Sequence, residues 1–323
     1  MRHLILFFIL GFFQNPLILL RCLFDPACYN KSTYFCEFEK GELIVKKSLK
    51  WAAAAAAGVF ALGFLTACGG SDKKEAAAKP ADGKEVTLKV GASPVPHAEV
   101  LGAVKDTLKK EGVNLEIVEF TDYVQPNLAL AEKELDANYF QHKPYLDEFC
   151  KDRNLKLVSV ANVHLEPMAV YSAKYKNLAD LPDGAHVAIP NDPTNGGRAL
   201  LVLQAAGLIK LRDGAPITAT PQDVAENAKN LQFSELEAPQ LPRSLQDADI
   251  AVINMNFALE AKLNPSDAIF TEGKDSPYAN IVAVREGDEK RPEIQKLVKA
   301  LQSETVKKFL ADKYKGAIVP SFQ

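Results

Sequence analysis

From residue 86 onward, apolar positions recur with two alternating periods. Val86, Leu88 and Val90 alternate with Thr87 and Lys89, the pattern of a half-buried strand. Val100, Leu101, Val104 and Leu108 then fall at helical spacing, which predicts a helix near Ala98 to Lys110 that stops at Gly112. The same reading gives a strand over 115–120, a helix from Pro126 to Glu134, a strand over 135–140, a helix over 143–152 and a buried strand over 155–163. A second cycle follows, with strands at 168–171 and 187–189, a helix from Gly196 to Gly207, a strand over 231–237 and a short helix over 240–245. Asp247-Ala248 then leads into the apolar strand Ile250–Ile253, echoing Asp136-Ala137 before its own strand. Ile281–Val284 is one more strand, and a final helix carries Ile294, Leu297, Val298, Leu301, Val306, Phe309 and Leu310.

This alternation predicts an α/β protein of two lobes, each a mixed, mostly parallel sheet flanked by helices. Residues 86–167 with 285–323 are expected to form lobe I and 168–284 lobe II. Two such lobes leave a cleft, and ligands of open α/β sheets sit among the loops at the strands' carboxyl ends. The loops expected there are 93–97, 121–123, 138–142, 191–198, 254–256 and 276–280.

Upstream of residue 86 the pattern is of another kind. Basic Lys46, Lys47 and Lys50 precede an alanine-rich apolar run from Trp51 to Phe64, then Leu65-Thr66-Ala67-Cys68. The run is too short and wrongly flanked for a stable membrane span and reads as a secretory signal over 45–67. Its last four residues resemble the bacterial lipobox, whose cysteine is lipidated, so Cys68 is the expected acyl (palmitate) attachment point. Residues 68–85 are small and charged, a flexible, solvated tether of at most about 60 Å when extended. A signal peptide is read from the N-terminus, so residues 1–44 are expected to be a non-native upstream extension, with translation starting at Val45. The rival is a genuine extra membrane helix in the broken apolar run Leu4–Leu20.

Composition narrows the function classes. At 47% hydrophobic and 24% charged, the chain is an ordinary globular one, and a net charge of -3 implies no polyanionic partner and no nucleic acid. Of the five cysteines, Cys22, Cys28 and Cys36 lie in the upstream extension, and Cys68 with Cys150 makes no disulfide framework. No G-x-S-x-G elbow, P-loop or nucleotide fingerprint occurs, so no catalysis and no cofactor are expected.

The stretch Asn191-Asp192-Pro193-Thr194-Asn195-Gly196-Gly197-Arg198 is the strongest chemical signal. It opens a helix, whose unpaired N–H groups and positive dipole end favour an anion. Arg198 adds a planar fork for a carboxylate or phosphate. The bland alternative is a salt bridge from Arg198 to a nearby acid.

Several longer stretches carry a resemblance: the lipobox, Pro94–His97, Phe120–Asn127, Asn138–Leu146, the 191–198 loop, Glu237–Ser244 and Ser276–Asn280. Together, from Lys46 to the C-terminus, they resemble the NlpA/MetQ family of methionine-binding lipoproteins. The resemblance implies a two-lobed periplasmic-binding-protein fold of type II and a lipid-anchored protein in the bacterial envelope. Its implied ligand is L-methionine, and its implied partner an ABC importer of the MetNI type, a permease with its ATPase.

Amino-acid recognition needs donors for a carboxylate, acceptors for an ammonium group and, for methionine, an apolar end. By the resemblance Arg198 holds the carboxylate, with Thr194, Asn195 and Gly196 as further donors. Asn254 and Asn280 can each accept from ammonium and donate to carboxylate. Loop asparagines are more often turn formers, and the family pattern favours Asn254 and Asn280 over Asn256. Tyr123, Phe140 and His142 are expected around the thioether. Tyr139 alternates to the other side of its strand and ranks lower. His97 either touches the ligand or caps its helix. Three rivals are a metal receptor using His97, His142 and His164, a receptor for another small amino acid or methionine derivative, and a surface adhesin as a second role. The histidine spacing matches no compact metal motif, and no metal is expected.

Overall fold

The computed structural model describes residues 34–39, 42–47, 85–273 and 276–323. The chain divides into two units, Met1–Ala76 and Ala77–Gln323. In the first, β1 (Tyr34–Glu39) and β2 (Glu42–Lys47) pair antiparallel, from Tyr34 opposite Lys47 to Glu39 opposite Glu42. These strands straddle the expected start at Val45. The apolar run, the rest of the signal, Cys68 and the tether up to residue 84 lie outside the described residues. Among the described residues no helix is long and apolar enough to cross a membrane.

The second unit begins with β3 (Val86–Ala92), α1 (Glu99–Lys110), β4 (Val113–Glu119), α2 (Gln125–Ala131), β5 (Ala137–His142), α3 (Lys143–Arg153) and β6 (Leu157–Leu165). The chain then crosses through Glu166-Pro167-Met168 into a second sheet. There it forms β7 (Ala169–Tyr171), β8 (His186–Pro190), α4 (Pro193–Ala205), β9 (Lys210–Leu211), β10 (Val224–Glu226), β11 (Gln232–Leu236), α5 (Leu241–Ser244), β12 (Ile250–Ile253), α6 (Met255–Glu260) and β13 (Phe270–Thr271). It returns to the first sheet as β14 (Ala279–Arg285), followed by α7 (Pro292–Leu301), α8 (Glu304–Tyr314) and β15 (Val319–Pro320).

The first sheet has the order β15-β6-β14-β5-β3-β4 and the second β11-β8-β12-β7-β13, while β9 and β10 form a small pair of their own. Leu88, Val90, Leu101 and Leu108 pack with Ile294, Leu297, Val306 and Leu310 of the last two helices, all fully buried. Val187, Ile189, Leu200, Leu203 and Val252 form a separate core in the second sheet. Each such side chain contributes about 1.5–3 kcal/mol on burial.

Three expectations need correction. β14 pairs with both β5 and β6, so the return to the first lobe precedes Ala279 rather than falling at residue 285. A continuous apolar run marks a buried strand but not its sheet, which only non-local pairing decides. The sheets are mixed as expected but not mostly parallel. β3 pairs parallel with β4 and β5, and β8 with β11 and β12, yet β14, β15, β7 and β13 all join antiparallel. The single final helix is two, broken at Gln302-Ser303, where Ser303 is extended at ψ 162°.

Candidate functional site

A narrow cleft lies between the two sheets, lined by Tyr123, Phe140, Gln141, His142, Tyr145, Glu166, Asn195, Arg198, Asn254, Met255, Asn256 and Asn280. From the first sheet come the end of β5, the start of α3, the turn after β4, and Asn280, which sits opposite His142 in the β14–β5 register. From the second come the first turns of α4 and α6.

Helix α4 starts at Pro193, whose missing N–H costs nothing at that position. Asp192 caps it, accepting from the Asn195 N–H at 2.9 Å. The glycine pair is explained by close packing. A Cβ on Gly197 would stand 2.1 Å from the Ile217 carbonyl oxygen, and one on Gly196 2.9 Å from that of Pro190. Only glycine lets this turn approach both strands of backbone.

Arg198 is 3% exposed and heavily engaged. Nε donates to Glu272 Oε1 at 3.1 Å, and Nη2 donates to the Glu166 carbonyl at 2.8 Å and to Glu272 Oε2. The Tyr278 ring lies 4.4 Å beneath the guanidinium carbon. Among the described residues, Nη1 makes no hydrogen bond. The salt bridge weighed as an alternative is therefore present, but it occupies one side of the fork only.

A chain of amides crosses the cleft. The Tyr145 N–H donates to His142 Nδ1 at 3.1 Å, so the His142 hydrogen sits on Nε2, 3.1 Å from Asn195 Oδ1. Burial, then the charge of Arg198, lowers the His142 pKa to about 3, keeping the ring neutral. Asn254 Nδ2 donates to the same Asn195 oxygen at 2.8 Å. Asn254 Oδ1 is left buried without a partner, as is Asn256 Nδ2, whose own oxygen accepts from Tyr123 at 2.6 Å. A buried polar group left unmatched costs about 1–3 kcal/mol. Among the described residues, the cleft thus holds an unmatched acceptor on Asn254 and unmatched donors on Asn256 and Arg198.

Behind Asn280 lies a second polar cluster. His97 Nε2 stands 3.0 Å from Asn280 Oδ1 and 3.2 Å from Glu166 Oε1, and His164 Nε2 stands 2.6 Å from the same carboxylate oxygen. Tyr139 joins His164 Nδ1 through its hydroxyl. Burial lowers the His97 pKa to about 4 and that of His164 to about 3, so both rings are neutral, with His97 Nε2 paired to Asn280 and His164 Nε2 to the Glu166 carboxylate. Burial pushes the Glu166 carboxyl up, opposed by His97 and Arg198. The ligand atoms of His97, His164 and Glu166 lie within 4.8 Å of one another. The metal reading foresaw His97 and His164 here, but His142 belongs to the amide chain instead.

An aromatic wall closes the cleft, with Tyr123 6.0 Å from Phe140 and 4.9 Å from Phe257 between ring centres. Of the residues singled out in the sequence, Arg198, Asn254, Asn280, Tyr123, Phe140, His142 and Asn195 line the cleft. Four do not. Tyr139 faces the other side of β5, toward His97 and His164. Thr194 turns its hydroxyl to Asp192, and the Gly196 N–H bonds the Asp192 carbonyl within the helix. His97 neither caps a helix nor lines the cleft, and it acts on Asn280 and Glu166 from behind. Asn256, weighed below its neighbours, lines the cleft because α6 continues straight from Asn254. Gln141, Tyr145, Glu166 and Met255 were not foreseen, nor was Glu272. A Glu at the end of an apolar strand, as in Leu165-Glu166-Pro167, is the one local signal that could have drawn notice.

Residues 88–322 match the NlpA lipoprotein family. The D-methionine-binding lipoprotein MetQ of Escherichia coli is 51% identical over 223 residues, 68% of this chain and 82% of the relative. Outer membrane lipoprotein 3 of Mannheimia haemolytica is 44% identical over 268 residues, 82% of this chain and 97% of its own. Among solved structures, a nutrient-binding protein from Burkholderia cenocepacia bound to methionine has a TM-score of 0.71 and 52% identity, covering 73% of this chain and all of its own.

Proposed function

The chain belongs to the NlpA lipoprotein family, and from that premise we propose that it captures methionine in the cleft and delivers it to an ABC importer. The observation that carries this reading is the pairing of unmatched groups across the cleft. Arg198 Nη1, Asn256 Nδ2 and the Asn280 amide offer donors for a carboxylate. Asn254 Oδ1 offers an acceptor for an ammonium group, with the Glu166 carboxylate on the same wall. Phe140, Tyr123, Tyr145 and Met255 give the thioether an apolar end, where each sulfur–ring contact contributes about 0.3–1.5 kcal/mol.

The methionine-bound neighbour and the names of the relatives support the substrate. Those names specify D-methionine, while the ligand implied by the resemblance is the L form, so both enantiomers belong in the test. The names of family and relatives also support a lipoprotein of the bacterial envelope, held through lipid on Cys68. Function here is binding, with closure as its mechanical step. His142–Asn195 and Tyr123–Asn256 bridge the two sheets, and a ligand touching both sides favours this closed arrangement by its differential affinity. The closed form is then the one presented to the importer.

A thermal-shift screen of the twenty L-amino acids with D-methionine tests the reading. Methionine at a hundredfold over its dissociation constant adds about 2.7 kcal/mol of stability, a shift of several degrees. A larger shift with another amino acid, or none with either methionine, overturns the substrate.

A further inference from the structure

The free acceptor of Asn254 owes its direction to a carboxylate that does not line the cleft. We infer that Asp192 is a positioning residue which, through Asn195, makes the cleft select ligands bearing a free α-ammonium group. The inference rests on the amino-acid reading above and deepens it.

The geometry runs from the helix cap inward. Both Asp192 oxygens accept from Asn195 Nδ2, Oδ1 at 3.1 Å and Oδ2 at 3.0 Å, while Oδ1 also accepts from the Asn195 N–H and the Thr194 hydroxyl. Every group facing this carboxylate is a donor. Asn195 therefore cannot turn its amide over without aiming a carbonyl at a carboxylate. Its Oδ1 must face the other way, where His142 Nε2 and Asn254 Nδ2 both donate to it. Asn254 in turn cannot exchange its own ends, since its oxygen would then meet the Asn195 oxygen. Each amide is locked by the one before it, and the last oxygen is delivered to the cleft without an internal donor.

What satisfies that oxygen is a property of the ligand. A carboxylate, keto or ester group has no hydrogen to give, a hydroxyl has one, and an ammonium group has three with a full charge. Polarisation along the relay, with a carboxylate at its origin, strengthens the preference for the cation.

The test compares an amino acid with its α-hydroxy acid by calorimetry, using methionine and 2-hydroxy-4-methylthiobutanoate. Asp192→Asn keeps the length and the helix-capping ability of the side chain but gives Asn195 an amide that can present either end. The expected result is a loss of about tenfold or more in methionine affinity, with little change for the hydroxy acid, so that the selectivity ratio narrows by about tenfold. Asn254→Ala should narrow the ratio similarly, and Asp192→Asn added to it should narrow it no further. Equal weakening toward both ligands, or an unchanged ratio, overturns the inference and leaves Asp192 a helix cap only. If another amino acid replaces methionine in the thermal screen, the same comparison is made with that amino acid and its hydroxy acid, which separates failure of the substrate from failure of the relay. A wild-type protein that prefers hydroxy acids over every amino acid overturns both.

Discussion

Arg198 and Glu272, 74 residues apart, meet along one edge of the guanidinium fork: Nε reaches Oε1 at 3.1 Å while Nη2 turns to Oε2 and to the Glu166 carbonyl. The arginine is thus neutralised before any ligand arrives, and it offers an incoming carboxylate a fixed edge rather than a naked charge. That arrangement limits the charge buried in the empty site and keeps the fork from rotating.

Replacing Arg198 by alanine therefore has two expected effects. The methionine-dependent thermal shift disappears, and the ligand-free protein loses about 1–3 kcal/mol because the partly buried Glu272 carboxylate is left without its partner. Urea unfolding without ligand and thermal shift with it read the two effects separately. A retained ligand shift would mean the carboxylate is held elsewhere.

Glu272→Gln separates support from recognition. The variant keeps an acceptor for Arg198 but removes the negative charge that competes with the ligand, so methionine affinity should hold or rise while ligand-free stability falls by about 1–3 kcal/mol. Calorimetry alongside chemical denaturation checks both signs. Weakened binding at unchanged stability would contradict this division of labour.

His142 gives a pH signature. Its pKa is about 3 in the fold, against an ordinary 6.5 unfolded, so below 6.5 the unfolded chain takes up a proton that the folded one refuses. Its stabilising contribution is complete above pH 6.5 and is lost as pH falls toward 3. Wild type should therefore lose about 1.6 kcal/mol more than His142→Gln between pH 6.5 and 5. The difference between the two proteins is the useful quantity, because Glu166 and Asp192, pushed up by burial, act in the opposite sense in both. Denaturation curves at the two pH values supply it.

The glycines offer a graded test of packing. Gly197→Ala drives a methyl into the backbone of Ile217 and Ala219, whereas Gly91→Ala meets only the side chains of Leu135 and Phe120. The first should cost about 1–3 kcal/mol or more and the second distinctly less, because side chains move aside more cheaply than backbone. Melting temperatures of the two variants rank them.

The sequence made the local half of this site legible and hid the distant half. A proline, two glycines and an arginine at a helix start form a signature within eight residues, and Asn254 follows one strand and Asn280 opens another whose periodicity is plain. Glu272 is an unexceptional acid in a polar loop until β13 and α4 meet in three dimensions. Glu166 gains its role only because His97, far back in the chain, swings to the same point. For the fold, periodicity found nearly every strand, yet the sheet to which Ile281–Val284 belongs depends on pairing with residues more than a hundred positions away. Gly196 shows the reverse error, since a residue read as a ligand donor is there to let a helix sit close to a carbonyl.

The place of β14 between β5 and β6 bears on how the protein comes to be folded. The central strand of the first sheet is made after the whole second lobe, and β15, which extends that sheet beyond β6, lies almost at the C-terminus. As the polypeptide emerges from a ribosome or a translocation pore, β3, β4 and β5 can pair early, but β6 cannot join them until β14 has been made. The second lobe can assemble as soon as β13 is out, while the first waits with an open seam for almost the entire chain. Truncation near the C-terminus should accordingly unmake the lobe that was synthesised first and spare the one synthesised second.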